Sequence, residues 1–457
     1  MTSTSLERRL GPFDAAVIVI SNVIGVGIFT TPGVVAGMVH GKAAMLAVWA
    51  IGGALAFAGA LAYAELASRR PQAGGEYVYL RESFGGLPAF LTGWTSFVAG
   101  FTGAMAAGAV GLTVYLNRFV PGISSVTPIA ALHLGPLALT VSPRSIAAVA
   151  VIVALALVHA RGLGPGRIVQ NALTALKVCG LLLFVAAGML LAEPTSAAVT
   201  DPSASTSGAW QPFLLALVPV MFSYSGWNAA VYVAEEIRQP ARNVPRALAI
   251  GTATVIAVYL ALNALYLRVV PPDALAGSIG VGEVAAGRLF GSAAAAVFAA
   301  MAIVIILGSL SAMTLAGPRV YFAMARDGSF FSAAARVHPR YHTPAIAILV
   351  QAAWSALLVL SGTFEQLLMY TGFAVILFSA LAVVSLFFVR RHSSEEAAFR
   401  AWGYPWAPAL FSIVCFVIVA NAIIEAPGVA STGLAIMAAG IPLYWFMRFK
   451  TNTGIRT

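Results

Sequence analysis

What most constrains this chain is a succession of apolar runs, each about as long as a helix needs to cross a bilayer. A crossing takes roughly 20 predominantly apolar residues. Twelve stretches qualify: 13–39, 42–68, 86–117, 144–160, 168–191, 211–236, 245–270, 291–322, 344–361, 365–389, 405–425 and 430–448. They are numbered segments 1 to 12 below. The connections between them are short, so the 457 residues leave no room for a separate soluble domain. Charged residues make up 9% of the chain, against about 25% in soluble domains. That is too few to cover a water-facing surface of this size. The expected fold class is an all-α membrane protein with 12 transmembrane helices.

The basic residues are unevenly spread. With the N-terminus inside, twenty of the 26 Lys and Arg fall at inner segment ends, among them Arg69, Arg242, Arg326 and Arg390. Five fall outside (Lys42, Arg118, Arg144, Arg268 and Arg288), and Lys177 lies within a segment. Lys and Arg gather on the cytoplasmic side of membrane proteins, so both termini are expected in the cytoplasm and the chain in the cell's inner (plasma) membrane. The bias also explains the net charge of +10. Nucleic-acid binding would instead need the basic residues gathered on one face. Arg8 and Arg9 precede an apolar stretch too long for a signal peptide and without a small-residue cleavage site. The polar stretch 194–210, with Pro, Ser and Thr and no Lys or Arg, reads as an outer loop.

Composition excludes several chemistries. The two cysteines, Cys179 and Cys415, sit in apolar runs and give neither a disulfide framework nor a zinc pattern. His338 and His342 are four apart, but Pro339 spoils a clean helical face between them. Neither a metal site nor a cofactor is expected. A membrane enzyme would need acids, histidines or ligands converging on one cavity, and a channel would need a symmetric filter. The sequence suggests neither.

Two segments are broken in corresponding places. Segment 1 holds Gly25-Val26-Gly27-Ile28-Phe29, followed by Thr30, Thr31, Pro32 and Gly33. Segment 6 holds Pro219 and then Phe222-Ser223-Tyr224-Ser225-Gly226-Trp227-Asn228. Glycine and proline weaken a helix locally. The breaks lie five segments apart, an odd number, so the second half would run inverted relative to the first. Paired Gly/Pro-broken helices are the best sequence pointer to a midplane binding site. Unwinding in a bilayer frees backbone groups that must be satisfied. A zwitterion satisfies them, its carboxylate at a half-helix N-terminus and its ammonium at freed carbonyls. The competing readings are bland: small residues packing helices closely, Phe222 and Trp227 as packing aromatics, and Asn228 as a helix cap. Glu235 and Glu236, beside Arg238 and Arg242, read as a structural ion-pair cluster, and Arg326-Asp327-Gly328 as a loop clasp.

The same residues, with Pro71-Gln72-Ala73-Gly74-Gly75-Glu76-Tyr77, Gly93-Trp94, Pro240-Ala241-Arg242-Asn243-Val244-Pro245-Arg246 and Thr343-Pro344, resemble the amino acid–polyamine–organocation superfamily, in particular its L-type amino acid transporter branch. The resemblance implies a single transporter domain over 1–457, with two inverted five-helix repeats (13–191 and 211–389) and two C-terminal helices in 405–448. It implies that the Val26 and Gly27 N–H groups bind a substrate carboxylate, and that the Val23, Phe222 and Ser225 carbonyls bind its ammonium. Gly25, Gly226, Trp227 and Asn228 complete the site. The branch often has Ser where this chain has Val26, so a hydroxyl is lost there.

Lys177 follows Asn171-Ala172-Leu173-Thr174-Ala175-Leu176 and precedes a long apolar run. A charge near the bilayer centre is a functional-site hypothesis by default. The alternative is snorkelling to an interface. The resemblance implies that its ammonium bridges segments 1 and 8 where sodium-coupled relatives hold a cation, with Ser309 or Ser311 as partner. Transport without sodium follows, by exchange or with a proton. No Asp or Glu lies in the central parts of segments 1, 3, 6, 8 or 10, and Glu365 stands at a segment end. A neutral L-amino acid is therefore the expected substrate. The alternatives are a cationic amino acid or polyamine antiporter, or an exporter. Membrane lipid is the expected surrounding. Heavy-chain subunits join related carriers through a cysteine, and none stands in an outer loop here, so no such partner is expected.

Overall fold

The computed structural model describes residues 6–134, 137–191, 210–278, 280–291, 294–392, 396–425 and 427–452. Residues 192–209, most of the expected outer loop, lie outside the described residues. In an apolar solvent a chain must satisfy its backbone internally, which favours helices, and each of the twelve segments is helical. Among the described residues nine helices are long and apolar enough to cross a membrane: Lys42–Arg69, Gly86–Leu116, Pro143–Ala160, Leu163–Leu191, Pro240–Val269, Ala296–Arg326, Gly372–His392, Trp406–Glu425 and Pro427–Phe449. Pro12–Val23 and Gly27–Met38 pass the same test together, bent by 45°. Pro212–Ser223 and Ala345–Ser361 are apolar but shorter. The chain is thus a multi-pass, almost wholly helical protein.

Two features depart from uninterrupted helices. The connection after segment 3 carries a two-stranded antiparallel hairpin, Ala130–Leu134 on Leu137–Val141, with Ala130 opposite Val141. Segment 3 itself contains a π-helical turn, Ser96–Gly100. The turn is held from outside: the Tyr321 hydroxyl donates to the Ser96 carbonyl at 3.1 Å and the Trp354 indole N–H to the Val98 carbonyl at 3.0 Å. Such turns recur at functional sites.

The main core joins segments 1, 2, 6 and 7, with residues of 5, 8, 10 and 11 against them. Glycines let the helices approach. A Cβ at Gly251 would lie 2.7 Å from Val19, and one at Gly52 would lie 2.5 Å from Val220.

One end of the bundle is tied by ion pairs. Arg319 of segment 8 forks onto Glu236, Nε to Oε2 and Nη2 to Oε1, both at 2.9 Å and both fully buried. Arg326 pairs with Glu235 at 3.0 Å, and Arg81 with Asp327. The two glutamates therefore form an ion-pair cluster, but with segment 8 rather than with the neighbouring Arg238 and Arg242. Glu65 takes Arg69 at 2.9 Å, the Arg390 Nε at 2.8 Å and the Ala401 N–H at 2.8 Å. Asp14 accepts from the Gly11 N–H at 2.8 Å and from Asn171 at 2.7 Å. Breaking a buried pair by removing one partner costs about 3–5 kcal/mol, because the other charge is left uncompensated. Glu236→Ala is expected to lower the unfolding temperature of the detergent-purified protein markedly, and an unchanged Tm would show that Arg319 finds another partner.

Candidate functional site

Both breaks form. Segment 1 unwinds over Ile24, Gly25 and Val26, and a new helix starts at Gly27. Segment 6 is helical over Trp210–Ser223, turns through Tyr224–Asn228, and resumes as Ala229–Tyr232 and the 3-10 turn Ala234–Glu236. Gly226 makes the second break possible with φ +99°, a conformation L-residues with a Cβ rarely adopt. A Cβ there would also lie 2.5 Å from Asn22 Nδ2. The breaks are cross-linked: the Asn22 amide donates to the Gly226 carbonyl at 3.3 Å, and Thr31 and Ser223 share a 2.6 Å hydrogen bond. Gly27 sits so close to Ser223 that a Cβ would meet its Oγ at 2.8 Å.

A cavity of about 400 Å³ lies at these breaks. Val23, Gly25, Val26, Gly27, Phe222, Ser225, Gly226, Trp227 and Asn228 all line it, as does Ser309. Phe222 is half exposed, whereas Trp227 is buried edge-on against Tyr63 and Phe411. The first N–H groups of an α-helix have no acceptor within it, so the helix starting at Gly27 presents donors here. Two cavity-lining polar atoms, Asn22 Oδ1 and Thr95 Oγ1, are buried without a hydrogen-bond partner.

The carbonyls freed by the first break are taken up by side chains. Lys177 is fully buried, and its Nζ donates to the Ser21 carbonyl at 3.1 Å and the Ile24 carbonyl at 2.8 Å. Ser309 Oγ lies 3.0 and 2.8 Å from the same two and shares its one proton between them. The Ser21 hydroxyl donates to the Gly308 carbonyl at 2.8 Å. Segments 1, 5 and 8 therefore meet at one point. The Lys177 ammonium is thus held inside the protein, on backbone carbonyls, rather than reaching its surface. Ser311 stands elsewhere, its hydroxyl 2.9 Å from His159 Nε2, and is not brought to the lysine. A neighbour the sequence did not mark is Gly308: a Cβ there would lie 2.7 Å from the lysine Cε.

Val23 is also engaged. Its carbonyl accepts from the Tyr259 hydroxyl at 2.9 Å, which lies 3.2 Å from the Ser223 carbonyl as well. A ligand ammonium at Val23 would share the carbonyl with that tyrosine. Asn228 stands at a helix start but makes no side-chain cap. Its amide instead donates to Glu76 Oε1 at 2.8 Å and to the Tyr232 hydroxyl at 2.9 Å.

Glu76 is the residue that reasoning by segments missed. It opens the short helix Glu76–Phe84, ahead of segment 3, yet lines the cavity. Besides Asn228, its carboxylate accepts from Tyr63 at 2.7 Å, Tyr232 at 3.2 Å and Ser379 at 3.2 Å. Burial holds its carboxyl above the ordinary carboxylate pKa, while these hydrogen bonds pull it down. Only its place in the Gly74-Gly75-Glu76-Tyr77 motif signalled it in the sequence.

Forcing a Cβ onto a positive-φ position costs of order 1–3 kcal/mol, and Gly226 adds the contact with Asn22. Gly226→Ala is expected to lower the detergent Tm by several degrees, and a Tm equal to wild type would show that the second break adapts.

Comparison with known proteins identifies the family. The amino acid permease family matches residues 10–447. Among similar proteins, the serine/threonine exchanger SteT of Bacillus subtilis is 28% identical over 457 residues, covering 97% of each chain. The human cystine/glutamate transporter is 28% identical over 445 residues, 96% of this chain and 85% of its own. The rat large neutral amino acids transporter small subunit 2 is 28% identical over 460 residues, 96% and 81%. Family and relatives are transporters rather than enzymes. The chain belongs to the amino acid permease family and is a multi-pass amino acid transporter of the amino acid–polyamine–organocation superfamily.

Proposed function

We propose that the protein is a sodium-independent secondary transporter of neutral L-amino acids, working by alternating access as an exchanger or with a proton, with both termini in the cytoplasm. The observation that carries this is Lys177. Its ammonium sits on the Ser21 and Ile24 carbonyls beside the first break. A fixed cation at freed carbonyls does the work a bound sodium ion would otherwise do. The substrate carboxylate faces the helix start at Val26 and Gly27, and the ammonium faces the carbonyls of Val23, Phe222 and Ser225. The inverted five-helix repeats and twelve crossings belong to this reading, supported by breaks five segments apart and a helix in each segment.

A neutral side chain fits because Glu76 is already committed to four donors. The second reading, a cationic amino acid or polyamine antiporter or an exporter, is favoured by that carboxylate lining the cavity. An uptake screen of radiolabelled amino acids in proteoliposomes, with and without internal amino acids, separates them. Some relatives are named as small subunits. Cys179 and Cys415 both lie in apolar helices, so this chain acts without a disulfide-linked heavy subunit.

Replacing sodium by potassium or choline is expected to leave transport unchanged, and a sodium requirement would overturn the lysine's role. Lys177→Ala leaves buried carbonyls short of donors, at a cost of about 1–3 kcal/mol. At its upper end that shifts a conformational equilibrium roughly tenfold or more. Turnover is expected to fall more than substrate affinity, and normal exchange kinetics in the variant would make Lys177 a merely structural residue.

A further inference from the structure

Glu76 is a buried carboxylate whose partners come from three other parts of the fold. Tyr63 belongs to segment 2, Asn228 and Tyr232 to segment 6, and Ser379 to segment 10. Three of the four donors converge on Oε1, and Tyr232 takes Oε2. The knot stands between the substrate breaks and the arginine-rich end. Glu76 lies between Arg69, which pairs with Glu65, and Arg81, which pairs with Asp327. Tyr232 lies four residues before Glu236, the partner of Arg319. The knot is therefore a floor to the cavity, and it must come apart if that end is to open.

Among the described residues, the titratable groups that bear on the carboxylate are hydroxyls. They are Tyr63 from segment 2, Tyr232 from segment 6 with Tyr321 of segment 8 behind it, and Tyr79 from its own helix. Asn228 and Ser379 are neutral. The nearby glutamates have arginine partners: Glu65 has Arg69 and Arg390, Glu235 has Arg326 and Glu236 has Arg319. Glu76 is held by neutral donors instead. A carboxylate with an arginine keeps its charge through a wide pH range, whereas one held by neutral donors exchanges a proton more readily. It also faces the cavity, where water can deliver that proton.

We propose that Glu76 is a proton-binding site of the transport cycle, and that a proton taken up there from the cavity releases the floor that ties segments 2, 6 and 10 together. The physical step is an exchange of bond types. Ionised, the carboxylate accepts four charge-assisted hydrogen bonds, each about twice as strong as a neutral one. Protonated, it keeps neutral bonds only and becomes a donor itself. The Tyr232 hydroxyl then has to turn, because it already accepts from Asn228. The floor loosens as pH falls and tightens as pH rises. This rests on the alternating-access reading above and adds to it a proton site distinct from Lys177.

The test uses the full-length protein in proteoliposomes, with the same pH inside and out, and exchange of radiolabelled L-serine and L-leucine. The wild-type exchange rate is expected to rise about tenfold from about pH 8 to about pH 5, the fold-change of one charge-assisted bond traded for a neutral one. Glu76→Gln, which cannot ionise, is expected to exchange at a rate independent of pH. Ser379→Ala removes a donor that favours the ionised form, so its inflection is expected to move to higher pH. This variant carries the test if Glu76→Gln does not fold. A flat wild-type profile overturns the proposal, as does a wild-type profile in Glu76→Gln or an unmoved inflection in Ser379→Ala. Absence of exchange of L-serine and L-leucine at every pH, together with no uptake of any amino acid in the screen above, would overturn the transport reading itself, which separates the two failures.

Discussion

In an apolar surrounding, an unwound turn of helix must find a partner for every carbonyl it frees, and the rest of this structure is arranged around that demand. Segment 1 frees Ser21, Val23 and Ile24. Lys177 and Ser309 take Ser21 and Ile24, and Tyr259 takes Val23. These donors come from segments 5, 8 and 7. One local break therefore pins four segments together. The pinning is compatible with movement, because a carbonyl has two lone pairs and its donors can be exchanged for those of a ligand.

The chain answers the opposite demand, that of a buried charge, in two ways. At the arginine-rich end the carboxylates of the described residues meet guanidinium groups, most completely in the buried Arg319–Glu236 fork. Such pairs contribute little net stability over an apolar replacement, but removing one partner is costly. That makes them good for holding one arrangement until a better one is offered. Beside the cavity, Lys177 and Glu76 each rely on neutral partners instead. Neither group is locked by a counter-ion, so each remains responsive to what enters the cavity.

The legible parts of the structure were those written locally. Twelve apolar stretches become helices because the backbone has no other internal solution, and the 45° bend falls at Gly25-Val26-Gly27 because glycine weakens a helix where it stands. Lys177 stood out because a lone charge in an apolar run is visible without a fold. What escaped was set by tertiary contact. Ser309 and Ser311 are two residues apart, about 200° around a helix at 3.6 residues per turn, so only the packing decides which one faces segment 1. The π turn at Ser96–Gly100 depends on Tyr321 and Trp354 from distant segments. The partners of Glu235 and Glu236 lie more than eighty residues away, whereas Arg238 and Arg242 are merely adjacent in sequence.

Glu76 shows why a search confined to membrane segments overlooks part of a cavity. A neutral substrate is suggested by the lack of carboxylates in the middles of segments 1, 3, 6, 8 and 10, and Glu76 belongs to none of them. It reaches the cavity because Gly74 and Gly75, both at positive φ, turn the chain back under the bundle. At Gly75 a Cβ would lie 2.7 Å from the Tyr232 ring, so the absence of a side chain there is what lets the following glutamate approach segment 6. The two glycines and the acid are thus one device. The glycines supply the turn and the close approach, and the acid supplies an acceptor for four donors on three segments. A break in a helix exposes carbonyls that need donors, while this turn brings in a carboxylate that also needs donors. The cavity is lined by one member of each set, Val23 from the break and Glu76 from the turn, and the side chains that donate to them belong to other segments.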